Sequence, residues 1–264
     1  INRPDQVPVF RLPSGTNFAA LTNWETNWRA EAIRPFGDFL LGLNITESSS
    51  NYPNRVRFSN LVLANSIPDS WAADDLTKSA GFNDLVQMQT AIVDGMELGT
   101  NFIIYSSSEA ILMEFTGGSF IFNFRKLFSD EGVISQNCIV EADNKHFVFG
   151  VSDIFVTDGT TKQSICDARV RNFIYKGLNQ KNANRCFVQH NKVLDEIYFC
   201  YQSGDALVNF SDTDRCNRAA VYNLKNGTWS FMDLPNVSAG STANMDTVAT
   251  YASATGTYDG IGGS

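Results

Sequence analysis

The sequence lacks the short motifs that mark the common catalytic and nucleotide-binding sites. It contains no GxSxG elbow, HExxH pair, P-loop or GxGxxG turn. Only two histidines are present, and neither His146 nor His190 has a cysteine or a second histidine at metal-ligand spacing. We interpret both as ordinary strand-end or loop residues, and we expect no catalytic residue, no cofactor and no metal site.

Cysteine pairs of the CxxC type are also absent. An odd number of cysteines leaves at least one thiol unpaired, and their spacing argues against a structural zinc site and against a disulfide-stapled secreted module. We interpret Cys200, which alternates with apolar residues, as a small buried hydrophobe, and we expect the chain to be made in a reducing compartment. The five cysteines are Cys138, Cys166, Cys186, Cys200 and Cys216.

Positive charge and long apolar runs are scarce as well. The formal net charge of −8 leaves no basic face for gripping phosphates. The sequence has no apolar stretch of about 18 residues and no leader peptide, so we expect neither a membrane span nor export. Because the chain begins at Ile1 rather than at a methionine, we expect it to be a fragment of a longer chain.

Several polar patterns resemble sites but lack an essential part. Asp212 and Asp214 match the first positions of a calcium loop, but the required glycine and closing glutamate are absent. The acidic pairs at 74–75 and 195–196 lie in turn contexts. Four Asn-x-Ser/Thr sequons, which we attribute to chance, begin at Asn44, Asn209, Asn226 and Asn236.

Two pairs of side chains allow a functional interpretation, and for both we favour a structural one. Arg55 and Arg57 alternate with apolar residues, which places both on one face of a strand, and we expect that face to be solvated. Trp24 and Trp28 could form a contact with another subunit, but we favour packing in the core or chance proximity.

What is abundant favours β-structure. The chain has 20 Phe, 8 Tyr and 19 Gly, and its most apolar part contains two successive hairpins, at 102–115 and 146–159. Each apolar run is too short for a helix and too apolar for a half-solvated strand, so we predict strands buried on both faces. A further strand over 119–128 is predicted to place Phe120, Phe122 and Phe124 on one face.

Apolar strands recur along the chain, starting near Phe39, Phe102, Phe147 and Ile197. The last two intervals, of 45 and 50 residues, match the period of propeller blades, and the first, of 63, can hold a blade with an inserted loop. We therefore predict an all-β fold, a β-propeller-like array of small antiparallel sheets. A twisted β-sandwich is the alternative.

Around this array we predict few other elements. We expect a single all-β domain over residues 1–264, with an extended arm at residues 1–16 and an irregular tail at residues 236–264. One short helix is predicted near 167–177, where apolar residues recur at helical spacing, and a turn or loop at 179–184. Asn226-Gly227 predicts a hairpin.

Five blocks follow one another along the chain: RVRFSN at 55–60, SWAADD at 70–75, ELGTNFIIYSSSEAILMEFTGG at 97–118 with FIFNF at 120–124, KHFVFGVSDIFVTDG at 145–159 and AVYNLKNGTWSF at 220–231. Their order resembles the tail nozzle and tail-tube hub proteins of short-tailed bacteriophages, the packaged-DNA-stabilising proteins like tail tubular protein B. The resemblance covers most of residues 30–231, and the corner NGTWSF carries much of it.

The resemblance implies a structural virion protein with no enzymatic activity, made in the host cytoplasm and assembled into the phage tail. It implies a homo-oligomeric ring below the portal and its adaptor, in contact with other tail proteins, that retains packaged DNA and serves as a conduit for genome ejection. An acidic chain suits a conduit because it repels phosphates and makes no sequence-specific contact with DNA. Family members are longer than 264 residues.

Two other readings of the sequence remain open. A receptor- or glycan-binding β-propeller would be favoured by exposed aromatic side chains at the tops of its blades. A propeller hydrolase of the glycosidase kind would need acidic residues that converge at the propeller centre.

Overall fold

Four consecutive antiparallel sheets of four strands make up most of the fold. The structure, a computed structural model, describes residues 2–118, 120–206 and 215–241. Each sheet is a meander in which every strand pairs with the next one in sequence. The all-β prediction is confirmed, and the sheets follow one another as a propeller-like array.

The first half of the chain forms a small hairpin and two sheets. The hairpin consists of β1 (Val9–Phe10) and β2 (Ala19–Ala20). Sheet 1 comprises β3 (Trp28–Phe36), β4 (Phe39–Glu47), β5 (Ser50–Phe58) and β6 (Gly81–Asp84). Sheet 2 comprises β7 (Ile92–Leu98), β8 (Asn101–Ser106), β9 (Ala110–Phe115) and β10 (Phe122–Phe128).

The second half forms two more sheets with helical turns between them. Sheet 3 comprises β11 (Ile139–Ala142), β12 (Lys145–Phe149), β13 (Ile154–Thr157) and β14 (Lys162–Ser164). Helix α1 (Ala168–Gly177) and a 3₁₀ helix (Gln180–Arg185) follow. Sheet 4 comprises β15 (Phe187–Asn191), β16 (Glu196–Tyr201), β17 (Cys216–Asn223) and β18 (Thr228–Val237).

The first strands of neighbouring sheets contact one another in chain order, β3 with β7, β7 with β11, and β11 with β15. Sheets 1 and 2 share an aromatic core, in which the Phe122 ring lies 4.9 Å from that of Phe58 and 5.1 Å from that of Phe39. A larger core runs through sheets 2, 3 and 4 and includes Phe149 and Ile174. In the described part of the chain, no buried cluster joins sheet 4 to sheet 1.

A separate apolar cluster on sheet 1 contains three tryptophans, Trp24 and Trp71 from flanking loops and Trp28 at the start of β3. The Trp24 ring lies 4.8 Å from that of Trp71 and 5.8 Å from that of Trp28, in edge-to-face geometry that favours aromatic pairs. Trp24 and Trp71 are buried. The prediction that the Trp24–Trp28 pair belongs to a core is therefore confirmed.

The predicted period identifies one strand in every sheet. Phe39, Phe102, Phe147 and Ile197 all lie in the second strand of their sheet, which is paired on both sides. The helix predicted near 167–177 is also confirmed: Asp167 is its N-cap and accepts backbone hydrogen bonds from Arg169 and Val170 at 2.8 Å.

Other local predictions were wrong or need refinement. Phe120 lies outside β10 and is exposed, so it does not share a strand face with Phe122. The 179–184 segment is mostly a 3₁₀ helix rather than a loop. The Asn226-Gly227 hairpin is present as a four-residue turn with Gly227 at a φ of +64°.

At the two ends, strands extend into segments predicted to be irregular. Strand β1 lies within the predicted arm at residues 1–16, and β18 extends to Val237, just inside the predicted tail. Residues 242–264 of that tail lie outside the described residues. Within the described ranges, no helix has the length and apolar character needed to cross a bilayer.

Candidate functional site

The first strands of the sheets bring together polar side chains that are far apart in sequence. We call Glu31, Arg34, Asp94, Gln136 and Asn137 the central cluster. Glu31 and Arg34 lie on β3, Asp94 lies on β7, and the two amide residues precede β11. These elements contact one another where sheets 1, 2 and 3 meet.

The carboxylate of Asp94 is the anchor of the central cluster. It is 1% exposed and accepts hydrogen bonds at 2.8 Å from both Nε and Nη2 of Arg34. The backbone N–H groups of Gly95 and Asn137 donate to it as well, at 2.8 and 2.9 Å. A carboxylate that is buried, charge-paired and fully hydrogen-bonded is a structural group rather than a reactive one.

Glu31 is the second carboxylate of the central cluster and is only half-buried. Its Oε1 accepts a hydrogen bond from Nε2 of Gln136 at 2.8 Å, and the same Nε2 donates to its backbone oxygen at 2.6 Å. Burial, and then the nearby charge of Asp94, raise the pKa of the Glu31 carboxyl. Glu31 also borders a cavity of about 570 Å³ between β3 and the N-terminal hairpin.

The two carboxylates do not form the pair that glycoside hydrolysis requires. That chemistry needs one carboxyl group as acid and a second as nucleophile or base, both facing the same sugar. Asp94 is committed to Arg34 and to backbone N–H groups, so only Glu31 faces the cavity. What the central cluster can do is hold three sheets in register.

The segment before β11 extends this joint to sheet 4. The backbone oxygen of Asn137 accepts from the N–H of Val188 at 2.8 Å, and Oγ of Ser135 donates to the backbone oxygen of Cys186 at 3.4 Å. On its other side, the Oδ1 of Asn137 accepts from Arg34 at 3.0 Å. Residues 135–137 therefore hydrogen-bond to sheets 1, 2 and 4.

Comparison with known proteins adds no family to these observations. No protein-family model matches the chain, and no curated protein sequence matches it.

The two arginines of β5 form a buried cluster, and the prediction of a solvated face was wrong. Arg55 is 6% exposed and Arg57 is 3% exposed. Glu47 on β4 lies 3.0 Å from Arg55 and 2.6 Å from Arg57, and Asp84 on β6 lies 2.7 Å from Arg55. Carboxylates from both neighbouring strands thus compensate the guanidinium charges.

Aromatic rings complete the enclosure of these arginines. The Arg55 guanidinium lies 3.7 Å from the ring centroid of Tyr52 and 3.9 Å from that of Phe82. The Arg57 guanidinium lies 4.0 Å from that of Trp28, and burial lowers the pKa of Arg57. Such stacking is typical of arginine held as a structural group.

The two histidines differ in their surroundings. His146 is fully buried on β12; its Nδ1 lies 3.0 Å from the hydroxyl of Tyr105 and its Nε2 lies 2.9 Å from the backbone oxygen of Glu97. Burial lowers the pKa of His146 to about 4. His190 lies in β15 rather than in a loop, and in the described part of the chain neither of its ring nitrogens has a hydrogen-bond partner.

The cysteines are buried free thiols, as predicted for Cys200. Burial raises the pKa of Cys138, Cys166 and Cys216 to about 12, which keeps these thiols protonated. Among the described residues, no group of three or more histidine, cysteine or carboxylate side chains is placed to hold a metal ion.

The remaining polar patterns have local structural roles where they are described. Asp75 accepts from the backbone N–H and hydroxyl of Thr77, and Asp195 pairs with Lys225 at the β17–β18 turn. The amide of Asn44 donates to the backbone oxygen of Ile92 at 3.0 Å. Asp212, Asp214 and Asn209 lie outside the described residues.

Proposed function

We propose that this chain is a structural subunit of a bacteriophage tail nozzle or tail hub, part of a ring that retains packaged DNA and then conducts it out. The proposal concerns a virion protein without enzymatic activity, made in the host cytoplasm. Its partners would be further copies of itself, the portal adaptor and other tail proteins.

One observation carries this proposal: four of the sequence blocks that resemble the nozzle proteins lie in four successive sheets, and the fifth, at 70–75, lies in the loop between β5 and β6. Residues 55–60 lie mostly in β5 of sheet 1, and residues 97–124 span sheet 2. Residues 145–159 form the β12–β13 hairpin of sheet 3, and residues 220–231 form the β17–β18 hairpin of sheet 4. The resemblance therefore follows the structural repeat rather than one isolated motif.

The charges of the chain support a conduit rather than a DNA-binding surface. The chain carries 28 acidic and 20 basic residues, and its most buried arginines are already paired with carboxylates. An acidic surface lets DNA pass without the strong phosphate contacts that would retain it permanently. Retention would then depend on the shape and closure of the ring.

A receptor- or glycan-binding propeller is the second candidate. It is favoured by exposed phenylalanines at the tip of the β9–β10 hairpin, of which Phe115 is 55% exposed and Phe120 is 82% exposed. Such rings would supply the apolar contacts that a bound partner requires.

The experiment that tests the nozzle proposal measures mass and symmetry. The full-length protein that contains this chain should be examined by light scattering and by electron microscopy, both in solution and in purified phage particles. We expect a ring coaxial with a short tail, labelled by an antibody against this chain. A monodisperse monomer that is absent from every particle would overturn the proposal.

A further inference from the structure

A groove with unused binding groups lies at the outer edge of the array, between sheets 1 and 2. We call it the outer groove: one wall is formed by residues 83–87, which are the end of β6 and the chain after it, and the other is the β9–β10 hairpin with the start of β10. Its volume is about 630 Å³, within the range of small-molecule sites. It is remote in sequence and in position from the central cluster, which lies on the first strands of the sheets.

The aromatic side of the outer groove has an apolar floor and one protruding ring. Phe122 and Leu85 are buried and form the floor, and Phe124 is partly buried. Phe120 stands at the hairpin tip with 82% of its surface exposed. A phenyl ring this exposed buries little apolar surface within the chain, so its position is suited to stacking against a ligand.

The polar side of the outer groove carries two carboxamides with free hydrogen-bonding capacity. In the described part of the chain, the side-chain amides of Asn83 and Gln87 have no hydrogen-bond partner. Each amide can donate two hydrogen bonds and accept two. Asn123 adds a third amide, whose Nδ2 donates to Glu114 at 3.3 Å.

The outer groove carries no uncompensated charge. Among the described residues that line it, Asp84 is the only charged one, and both of its carboxylate oxygens accept hydrogen bonds from Arg55, at 2.7 and 2.8 Å. None of those lining residues is a lysine or an arginine, which disfavours phosphates and other anions, and the paired carboxylate disfavours cations.

We propose that the outer groove binds a neutral oligosaccharide. A pyranose ring presents a flat C–H face, which would stack on Phe120, and a rim of hydroxyls that each donate and accept a hydrogen bond. The free amides of Asn83 and Gln87 match those hydroxyls because they also donate and accept. This inference does not depend on the tail assignment, since the groove is complete within one chain.

The test is a titration of the 264-residue protein with four neutral tetrasaccharides, those of glucose, mannose, galactose and N-acetylglucosamine, each tested separately. Saturation-transfer NMR measures the binding. We expect at least one of them to bind with a dissociation constant of about 1 mM or tighter. Phe120→Ala, and separately the double variant Asn83→Ala/Gln87→Ala, should each weaken binding about fivefold or more, whereas Phe120→Tyr should retain it because an aromatic face remains.

The matched control is Phe173→Ala, which removes another exposed phenylalanine, on α1 and outside the groove. This variant should bind the same tetrasaccharide as tightly as the unaltered chain. Failure of all four sugars to bind at about 10 mM would overturn the inference. Sugar binding that the groove variants leave unchanged would also overturn it. A third contradicting outcome is that the protein binds a peptide containing leucine and phenylalanine in a Phe120-dependent way but binds no sugar.

Discussion

The imidazole of His146 is held in its neutral form by its surroundings. Its Nε2 faces the backbone oxygen of Glu97, so that nitrogen carries the proton, and its Nδ1 then accepts from the hydroxyl of Tyr105. In the described part of the chain no carboxylate forms an ion pair with the ring, and the charge of Glu141 offsets the effect of burial only in part, so a second proton would place a poorly compensated charge in the core. Burial therefore lowers the pKa of His146 to about 4.

This pKa predicts a loss of stability in mild acid. The unfolded chain takes up a proton on His146 below about pH 6.5, whereas the folded chain does so only near pH 4, so stability falls as the pH is lowered through that window. When the pH is lowered from 7 to 4.5, the free energy of unfolding, measured in urea, should fall by about 2.5 kcal/mol more for the unaltered chain than for His146→Gln. Equal losses in the two proteins would contradict the assignment.

Glu47 is the residue on which the buried arginines of sheet 1 depend most. It pairs with both Arg55 and Arg57, so Glu47→Gln leaves two buried guanidiniums with less compensation. We expect the free energy of unfolding to fall by about 3 kcal/mol, measured in urea. Lys78→Met, which removes the exposed pair with Asp69, is the control and should have no measurable effect. Similar effects of the two changes would argue against a buried network.

The sequence could not predict this arginine cluster because its compensating groups come from other strands. Alternation placed Arg55 and Arg57 correctly on one face of β5. That face is buried because β5 lies between β4 and β6. The register of these strands brings Asp84 opposite Arg55 and places Glu47 within reach of both guanidiniums. Carboxylates on both neighbouring strands would have indicated the cluster, but they can be recognised only once the pairing of the strands is known.

At the scale of elements, sheets 2 and 3 are joined by a close approach of two backbones. The backbone N–H of Val133 donates to the oxygen of Ser106 at 2.9 Å. A Cβ at the preceding residue, Gly132, would overlap that same oxygen and the adjoining backbone of Ser107 and Ser108. Only glycine fits at this position, although its φ lies outside the left-handed region.

Gly132→Ala should therefore be strongly destabilising. Because the obstacle is backbone rather than a flexible side chain, relief requires the two sheets to separate locally, and we expect a loss of about 3 kcal/mol in the free energy of unfolding. Gly118→Ala provides the matched control, since a Cβ there meets nothing within 4 Å. Thermal and urea unfolding of both variants checks the prediction, and a tolerated Gly132→Ala would show that the sheets are not in contact there.

Strands paired on both sides were predictable, and the short edge strands were not. Strands such as β8 and β12 are buried on both faces and read as continuous apolar runs. The outer strands β6 and β14 are short and partly exposed, so no periodic pattern marks them. Phe120 followed the alternation of β10 in sequence, but the hairpin turn extends past it and leaves its ring in solvent.

At the scale of the whole molecule, the excess of acidic residues predicts weak interaction with DNA. With a net charge of −8, we expect no binding tighter than about 100 µM to a duplex at physiological salt. Fluorescence anisotropy of a labelled duplex, repeated over a range of salt concentrations, measures this. Micromolar affinity that falls steeply with salt would reveal a basic surface and contradict the conduit proposal.

The central cluster could not be predicted because it exists only through the packing of whole sheets. Glu31 and Gln136 are separated by 105 positions, and no local pattern relates them. The period of the apolar strands was enough to predict the array, but not which polar residues on the first strands would meet. Those residues are hydrophilic in sequence and resemble the solvated turns that surround them.

The meander order of every sheet has a consequence for how the protein is made. Each sheet uses a single stretch of chain, and the core that sheets 1 and 2 share contains no residue of sheets 3 and 4. A ribosome that has released sheets 1 and 2 has therefore already released every residue of the core between them. The polypeptide can acquire its structure progressively from the N-terminal end during translation, with no strand left waiting for a distant partner.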